Sequence, residues 1–162
     1  MAIPDFVLAI RKKIGHDPLW LSGATAVIID ANRILLIRRA EDGEWSPVTG
    51  VVDPGEEPAD TAVRESREEA GVVIEAVRLA AIGVTDPITY ENGDRSQYVD
   101  HTFRCRYVSG EPRVSDDETT DVRWFPLDDM PEMQSHYRER IRAALPESGP
   151  AEFNGGRSAG RE

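Results

Sequence analysis

The chain has 162 residues, of which 40% are hydrophobic, and its 30 acidic and 19 basic side chains give a formal net charge of -11. This length fits one domain with a core of its own, and no apolar run reaches the roughly 18 residues that a membrane-spanning helix needs. The acidic balance disfavours a nucleic-acid partner held through its phosphates, and the start of the chain lacks a signal-like apolar stretch, which predicts a cytoplasmic location.

The first part of the chain predicts a helix, a hairpin and a long loop. Residues 4–14 place apolar side chains at helical spacing beside a basic run, which indicates a short amphipathic helix that packs on the domain or on a partner subunit. Two β-rich runs, 24–29 and 33–38, are joined by residues 30–32, whose Asp and Asn suit a tight turn. The Gly and Pro residues of 40–58 predict a long loop, and such loops in compact domains are commonly functional.

The second part predicts one well-defined helix and then mostly strands. Over 58–70 apolar or small residues recur at three- and four-residue steps, with Pro58 suited to the first turn and Gly71 to the C-terminal cap. A turn centred on Asn92 and Gly93 separates two of the strands that follow. The remaining elements are three strands and a last helix, predicted in chain order over 72–84, 97–108, 122–125 and 131–145.

The single cysteine gives little sign of chemistry. Cys105 lies in an alternating run with Phe103 and Tyr107, which is typical of a packed thiol on a strand rather than of a nucleophile. One cysteine also rules out an intramolecular disulfide.

Three glutamates of the predicted helix are candidates for chemistry. Glu65, Glu68 and Glu69 lie at i, i+3 and i+4, so their carboxylates share one face, and their mutual repulsion calls for a positive partner. Arg64 can hold one of them, and a cluster of oxygen ligands suits Mg²⁺ or Mn²⁺. Taken alone, the pattern is more typical of a solvated acidic helix face.

A longer pattern changes that balance. The chain reads Gly-x5-Glu-x7-Arg-Glu-x-x-Glu-Glu-x-Gly-Val, and this pattern resembles the signature of the Nudix (MutT-like) hydrolase family. It occupies Gly50, Glu56, Arg64, Glu65, Glu68, Glu69, Gly71 and Val72. The likeness extends to the preceding hairpin, to Trp45 and Pro47, and to residues 122–127. It covers roughly residues 23–145, which leaves 1–22 as an N-terminal helix with its lead-in and 146–162 as a tail expected to be disordered.

The resemblance implies a fold and a reaction. The fold is of the α/β (α+β) class, with a mixed β-sheet between α-helices. The implied reaction is metal-dependent hydrolysis of the phosphoanhydride linkage of a nucleoside diphosphate-linked substrate, with Mg²⁺ as the cofactor and Mn²⁺ as its substitute.

The resemblance also implies roles for individual residues. Glu68 and Glu69 are the principal metal ligands, Glu65 is a third ligand or the base that activates water, and Arg64 orients these carboxylates. Glu56 is a further ligand or a loop anchor. A remote acid completes such sites, and Glu118 stands at a family-like position for it, with Asp116 and Asp117 as alternatives and a charged surface turn as the other interpretation.

Two positions depart from the family pattern. Thr49 stands where many members have a second glycine whose carbonyl contacts metal, and it supplies the same carbonyl if its backbone dihedrals are tolerated. Ser66 stands where a bulky aliphatic residue is usual, so either that corner is less well packed or the hydroxyl bonds to the backbone one turn earlier.

The substrate is less well defined by the sequence. Candidate contacts are arginines for phosphate, aromatic side chains for stacking or packing, and the first glycine of the signature pattern. They are Arg38, Arg39, Trp45, Gly50, Tyr90 and Arg95. In this family, a residue that follows the signature pattern is used to sort members by substrate, and this chain has both Pro87 and Tyr90 in that region. The substrate therefore stays open between ADP-ribose, a nucleotide sugar, a modified nucleoside triphosphate and a CDP-alcohol.

Two other classes of function remain open beside hydrolysis. The domain is alternatively a nucleotide-binding sensor without catalysis, although all four box glutamates are present, or an allylic diphosphate isomerase, which needs a catalytic cysteine. The expected partner is a small nucleotide-derived substrate, with no nucleic acid or membrane. The amphipathic first helix further suggests a homodimer.

Overall fold

The computed structural model describes residues 3–153 of the chain, and this part contains three helices and eight strands. The helices are α1 (Asp5–Ile14), α2 (Pro58–Ala70) and α3 (Ser135–Ala144). The strands are β1 (Leu19–Asp30), β2 (Arg33–Arg39), β3 (Trp45–Ser46), β4 (Val48–Val51), β5 (Val73–Val84), β6 (Ile88–Thr89), β7 (Arg95–Ser109) and β8 (Thr119–Pro126). None of the described helices is long and apolar enough to cross a bilayer.

The strands form one mixed sheet. Its order is β3-β2-β1-β7-β5, with β4 paired to β1, β6 to β7 and β8 to β2. β1 and β7 run parallel, whereas the other pairings among the described strands are antiparallel. The structure therefore confirms the expected mixed sheet of an α+β fold.

One helix packs on each face of this sheet. Successive side chains of β1 point to opposite faces, so the strand contacts both helices. Ala24, Ala26 and Ile28 enter the core cluster that contains Ala62 and Ala70 of α2. Val27 and Ile29 point the other way and enter the cluster that contains Ile141 of α3. Burial of each such large aliphatic side chain contributes about 1.5–3 kcal/mol, so the two faces together fix the register of β1.

The predicted helix α2 agrees closely with the structure. Pro58 is its first residue, and Gly71 ends it in the left-handed region at φ 70°. The Ser66 hydroxyl donates to the carbonyl of Ala62 at 2.7 Å, which is the bond to the preceding turn that its position suggested.

Several predicted boundaries are corrected. The loop over 40–58 contains β3 and β4, which pair with β2 and β1. The strand expected over 122–125 extends to Thr119–Pro126 because β2 pairs with it along that length. The last helix begins at Ser135 rather than at residue 131, because the preceding segment is extended and packs Met133 into the α3 cluster.

The tail expected to be disordered from residue 146 is ordered as far as the structure describes it. Glu152 donates its backbone N–H to Ala80 and accepts from Ile82, at 2.8 and 3.0 Å, so this segment extends the edge of β5. Its carboxylate also pairs with Arg142 at 2.8 Å. Residues 154–162 of the predicted tail lie outside the described residues.

Arg11 bonds the first helix to the domain. Val7 is its buried residue, and Arg11 donates to the backbone carbonyl of Arg95 at 2.6 Å and to the hydroxyl of Ser96 at 3.0 Å. These bonds fasten α1 to the start of β7, which explains why the amphipathic segment packs on its own domain.

Candidate active site

Arg64 is the centre of a charged cluster at the junction of α2 with the preceding loop. Its Nε lies 2.9 Å from an oxygen of Glu56, and its Nη1 lies 2.8 Å from Glu65 and 3.1 Å from Glu68. Nη2 also donates to the carbonyl of Val51 at 3.3 Å. The sequence predicted that Arg64 orients the three helix carboxylates, and the structure pairs it with two of them, Glu65 and Glu68, and with Glu56 of the loop.

Glu56 acts as the anchor of the loop. Besides Arg64, its carboxylate accepts from the Thr61 hydroxyl at 2.7 Å and from the backbone N–H of Asp53 at 3.3 Å. The hydrogen bonds from Arg64, with smaller contributions from these two donors, lower the pKa of Glu56 to about 2. Arg64 therefore bonds both ends of the loop between β4 and α2, at Val51 and at Glu56, to the helix.

The three helix carboxylates do not share one environment. Glu65 and Glu69 are 8% and 5% exposed and lie on the buried side of α2, whereas the Glu68 side chain is 55% exposed. The Glu65 and Glu68 carboxylates nevertheless meet at Arg64 Nη1, as a shared carboxylate face predicts, and Gly50 lets Glu65 pack against β4. A Cβ at residue 50 would lie 2.3 Å from the Glu65 carboxylate.

Burial governs the charge of these two acids. Burial raises the pKa of Glu65 to about 7, although the nearby Arg64 opposes the shift. Burial, together with the charges of Glu65 and Asp116, raises the pKa of Glu69 to about 8. Within the described residues, Glu69 Oε2 is a buried oxygen with no hydrogen-bond partner. Such an atom is costly unless a cation or donor meets it.

A second group of carboxylates meets Glu69 from the connection between β7 and β8. One carboxylate oxygen from each of Asp116, Glu118 and Glu69 lies within 4.8 Å of the other two. The backbone of Glu118 is held by Ala40, whose N–H donates to its carbonyl at 2.7 Å. The remote acid expected at Glu118, and Asp116 among its alternatives, are thus brought to α2, whereas Asp117 is exposed and outside this group.

The donor set fits a hard divalent cation. Glu69, Asp116 and Glu118 offer only oxygen atoms, and the Glu69 carboxylate has a buried oxygen without a hydrogen-bond partner among the described residues. The carbonyl of Thr49 lies on β4, where Thr49 pairs with Thr25, and its φ is not positive. Thr49 therefore needs no glycine to adopt its conformation.

The two arginines predicted for phosphate have different surroundings. Arg38 donates to the carbonyl of Gly43 at 2.8 Å, so it stabilises the turn after β2. Arg39 donates to the hydroxyl of Tyr137 at 2.7 Å and pairs with Glu41 at 2.7 Å. Arg39 therefore joins β2 to α3, and its charge also reaches Glu69.

The other predicted substrate contacts are dispersed. Trp45 packs edge-on against Phe125 with ring centroids 4.8 Å apart, which is a core contact. Tyr90 shares a hydrogen bond with Tyr98 at 2.8 Å between the hydroxyls. Arg95 donates to the backbone that follows α1, away from the Arg64 cluster. Trp45 pairs with Arg38 across β3 and β2, and Tyr90 lies within electrostatic range of Arg39.

A polar cluster beneath α3 was not predicted. The buried carboxylate of Asp100 accepts from the hydroxyls of Thr25 and Thr102, each at 2.8 Å. Arg140 of α3 donates to Thr25 at 3.0 Å and lies 3.5 Å from Asp100. An Asp at an inward position of an alternating strand was the available signal.

Cys105 is confirmed as a packed thiol. It is 1% exposed and lies in the core cluster on the α2 side of the sheet. Burial raises the pKa of this thiol to about 12, so it stays protonated at neutral pH.

Known proteins match both the chain and its fold. The profile of the NUDIX domain matches residues 20–145. A MutT-like protein of Streptomyces ambofaciens is 34% identical over 131 residues, 80% of this chain and 79% of that protein. The NAD-capped RNA hydrolase NudC of Pseudomonas aeruginosa is 34% identical over 119 residues, 72% of this chain but 40% of that protein.

A solved structure agrees with the sequence match. The crystal structure of an ADP-ribose pyrophosphatase from Streptococcus suis superposes with a TM-score of 0.60 at 28% identity, and covers 77% of this chain and 89% of that one. Together with the profile match over most of the chain and the box glutamates gathered around Arg64, these similarities show that the chain belongs to the Nudix hydrolase family.

Proposed function

We propose that this Nudix hydrolase uses Mg²⁺, or Mn²⁺ in its place, to cleave the diphosphate linkage of a nucleoside diphosphate-linked substrate with water. The observation that supports the metal is the buried Glu69 carboxylate, which groups with Asp116 and Glu118 and has an oxygen without a hydrogen-bond partner among the described residues. A protein that kept this arrangement without a cation would have to protonate it, at a cost in stability.

The proposed ligands come from two parts of the chain. We propose Glu65, Glu68 and Glu69 of α2 as one group, with the Thr49 carbonyl and Glu56 as further candidates, and Asp116 and Glu118 as the other group. When bound there, the cation would supply Lewis-acid polarisation of the phosphate oxygens and activation of water. Because Glu56 is already paired with Arg64, we assign it to the loop anchor rather than to the inner ligands.

The protein's own side chains account for orientation and proton transfer. Arg64 keeps three carboxylates in place through charge-assisted hydrogen bonds. Water attacks one phosphorus, the bridging P–O bond breaks, and the proton of the water passes to a carboxylate. Glu65 and Glu118 are the two candidates for this base, and the Glu65 carboxylate is held in place by Arg64 at 2.8 Å.

The substrate class is nucleoside diphosphate-linked. The named relatives include an ADP-ribose pyrophosphatase and an NAD-capped RNA hydrolase, which supports a substrate with a diphosphate bridge. We propose a small molecule such as ADP-ribose, a nucleotide sugar or a modified nucleoside triphosphate. On this chain, Arg39 and Tyr90 are two predicted substrate contacts that lie within electrostatic range of each other.

Turnover of a substrate panel tests the proposal. ADP-ribose, nucleotide sugars, CDP-alcohols, dinucleoside polyphosphates and nucleoside triphosphates are each incubated with Mg²⁺, with Mn²⁺ and with EDTA. Metal-dependent release of a nucleotide or phosphate from one group is expected. Reaction in ¹⁸O-labelled water then identifies the phosphorus attacked, because the label is retained on that product.

A pair of variants assigns the reaction to the site. Glu69→Gln removes a charged ligand and is expected to lower kcat by about a hundredfold or more, whereas Glu139→Gln, an exposed glutamate of α3, leaves it unchanged. Equal turnover by both variants would remove Glu69 from the site. Tight nucleotide binding without any cleavage across the panel would instead support a sensor.

A further inference from the structure

The connection between β7 and β8, residues 110–118, is docked on the C-terminal end of α2. At Gly110 the backbone comes so close that a Cβ there would lie 2.6 Å from the carbonyl oxygen of Gly71. The N–H of Arg113 then donates to the carbonyl of Ala70 at 3.1 Å. The connection thus satisfies a carbonyl that the end of a helix leaves without an intrahelical partner.

The same connection carries the remote carboxylates. Glu118 donates its backbone N–H to the side chain of Asp116 at 3.1 Å, which links the two residues. Each of them offers an oxygen close to one of Glu69, whose buried carboxylate has an oxygen without a hydrogen-bond partner within the described residues. Gly110 precedes the two acids in the chain. Its contact with the end of α2 therefore limits how far Asp116 and Glu118 lie from this helix.

Only glycine permits this docking. Gly110 has φ 100° and Gly71 has φ 70°, both in the left-handed region. The atom that a side chain at residue 110 would meet is a backbone oxygen at the helix cap, which cannot withdraw without unwinding the last turn. The Tyr107 hydroxyl further restrains the site by donating to the carbonyl of Gly110 at 2.6 Å.

We propose that Gly110 is a positioning residue, which sets the distance of Asp116 and Glu118 from Glu69 and thereby the affinity of the site for a divalent cation. This inference rests on the proposed function, because it assumes that the three acids bind a metal. Gly110 acts through the carboxylates and touches neither cation nor substrate.

Mn²⁺ binding to the full chain measures the effect without turnover. Free Mn²⁺ is followed by electron paramagnetic resonance in titrations of the wild type, Gly110→Ala and Gly149→Ala. Gly149 is the matched control, because its φ is 129° but a Cβ there meets nothing within 4 Å. We expect roughly tenfold weaker Mn²⁺ binding for Gly110→Ala and no change for Gly149→Ala. Equal affinity of the wild type and Gly110→Ala would overturn the inference.

A double-mutant cycle separates positioning from general damage. In the background of Asp116→Asn with Glu118→Gln, Gly110→Ala is expected to have no further effect on Mn²⁺ affinity, because the groups it positions no longer bind. A tenfold loss that persists in this background overturns the inference. Near-UV circular dichroism checks the fold of each variant.

A milder variant covers the case in which Gly110→Ala does not fold. Tyr107→Phe removes one hydrogen bond to Gly110 and keeps the ring that packs on Trp124. It is expected to weaken Mn²⁺ binding in the same direction by roughly threefold, and unchanged binding counts against the inference. Failure of the wild type to bind Mn²⁺ would overturn the metal assignment as well, which distinguishes the two failures.

Discussion

Arg64 shows what a single side chain contributes to this site. Its guanidinium contacts Glu56 in the loop and Glu65 and Glu68 on the helix, so one rigid fork fixes the loop relative to α2. A lysine ammonium has three donors on one atom, whereas the arginine fork spreads its donors over three nitrogens. We therefore expect the shape of arginine, as well as its charge, to matter at this position.

Arg64→Lys tests this requirement. It keeps the charge but loses at least two hydrogen bonds to charged groups, so kcat is expected to fall about tenfold to a hundredfold with a smaller change in KM. Steady-state hydrolysis of the substrate found in the panel measures it. Arg67→Lys, at an exposed position of the same helix, is the control. An unchanged kcat for Arg64→Lys would show that charge alone suffices.

Cys105 provides a pH-dependent prediction away from the site. Burial raises its pKa from an ordinary 9.0 to about 12, so the folded chain keeps the proton at a pH at which the unfolded chain begins to lose it. Stability from this group is full below pH 9 and declines as the pH rises from 9 towards 12.

Reaction with a disulfide reagent at pH 8 measures this protection. The thiolate is the reactive form, so the native chain is expected to react at least a hundredfold more slowly than the chain in urea. A native rate close to the unfolded rate would contradict the buried placement of the thiol.

At the scale of elements, β4 and α2 approach each other through Gly50. The strand presents no side chain there, and the Glu65 carboxylate occupies the space, with its oxygen 2.3 Å from where a Cβ would be. The short strand β4 was hidden from sequence patterns, since four residues carry little periodicity. Its pairing with β1 places Gly50 against the helix.

Gly50→Ala is expected to displace Glu65 and lower kcat by about a hundredfold, because a shift of about 1 Å at a catalytic group has an effect of this size. Gly83→Ala on β5 is the control, since a Cβ there meets nothing within 4 Å. Hydrolysis rates of both variants are compared after thermal unfolding has shown that each one folds. Full activity of Gly50→Ala would mean that Glu65 tolerates displacement.

At the scale of the whole molecule, the homodimer stays a prediction. α1 buries Val7 and leaves Leu8 43% exposed on its outer side. We expect light scattering to give twice the chain mass of 18.0 kDa and Leu8→Glu to return it to a single chain mass. Val108→Glu, at another exposed apolar position, is the control. A wild-type mass of 18.0 kDa would contradict the dimer.

Local patterns were sufficient for much of this protein. The helix Pro58–Ala70, its proline start and its glycine cap follow from neighbouring residues alone, and so do the spacing of the carboxylates and the membership of the Nudix family. The helix and its caps depend on contacts between residues that are close in the sequence, and the family signature is itself a sequence pattern.

The tertiary structure decided how the carboxylates differ and which of them meet. Glu65 and Glu69 are buried while Glu68 is exposed, and Asp116 and Glu118 lie beside Glu69 although they are distant in sequence. The parallel pairing of β1 with β7 and the docking of the 110–118 connection on α2 bring these groups together. No local pattern encodes such a meeting, because it depends on closing long stretches of chain through the packing of the whole sheet.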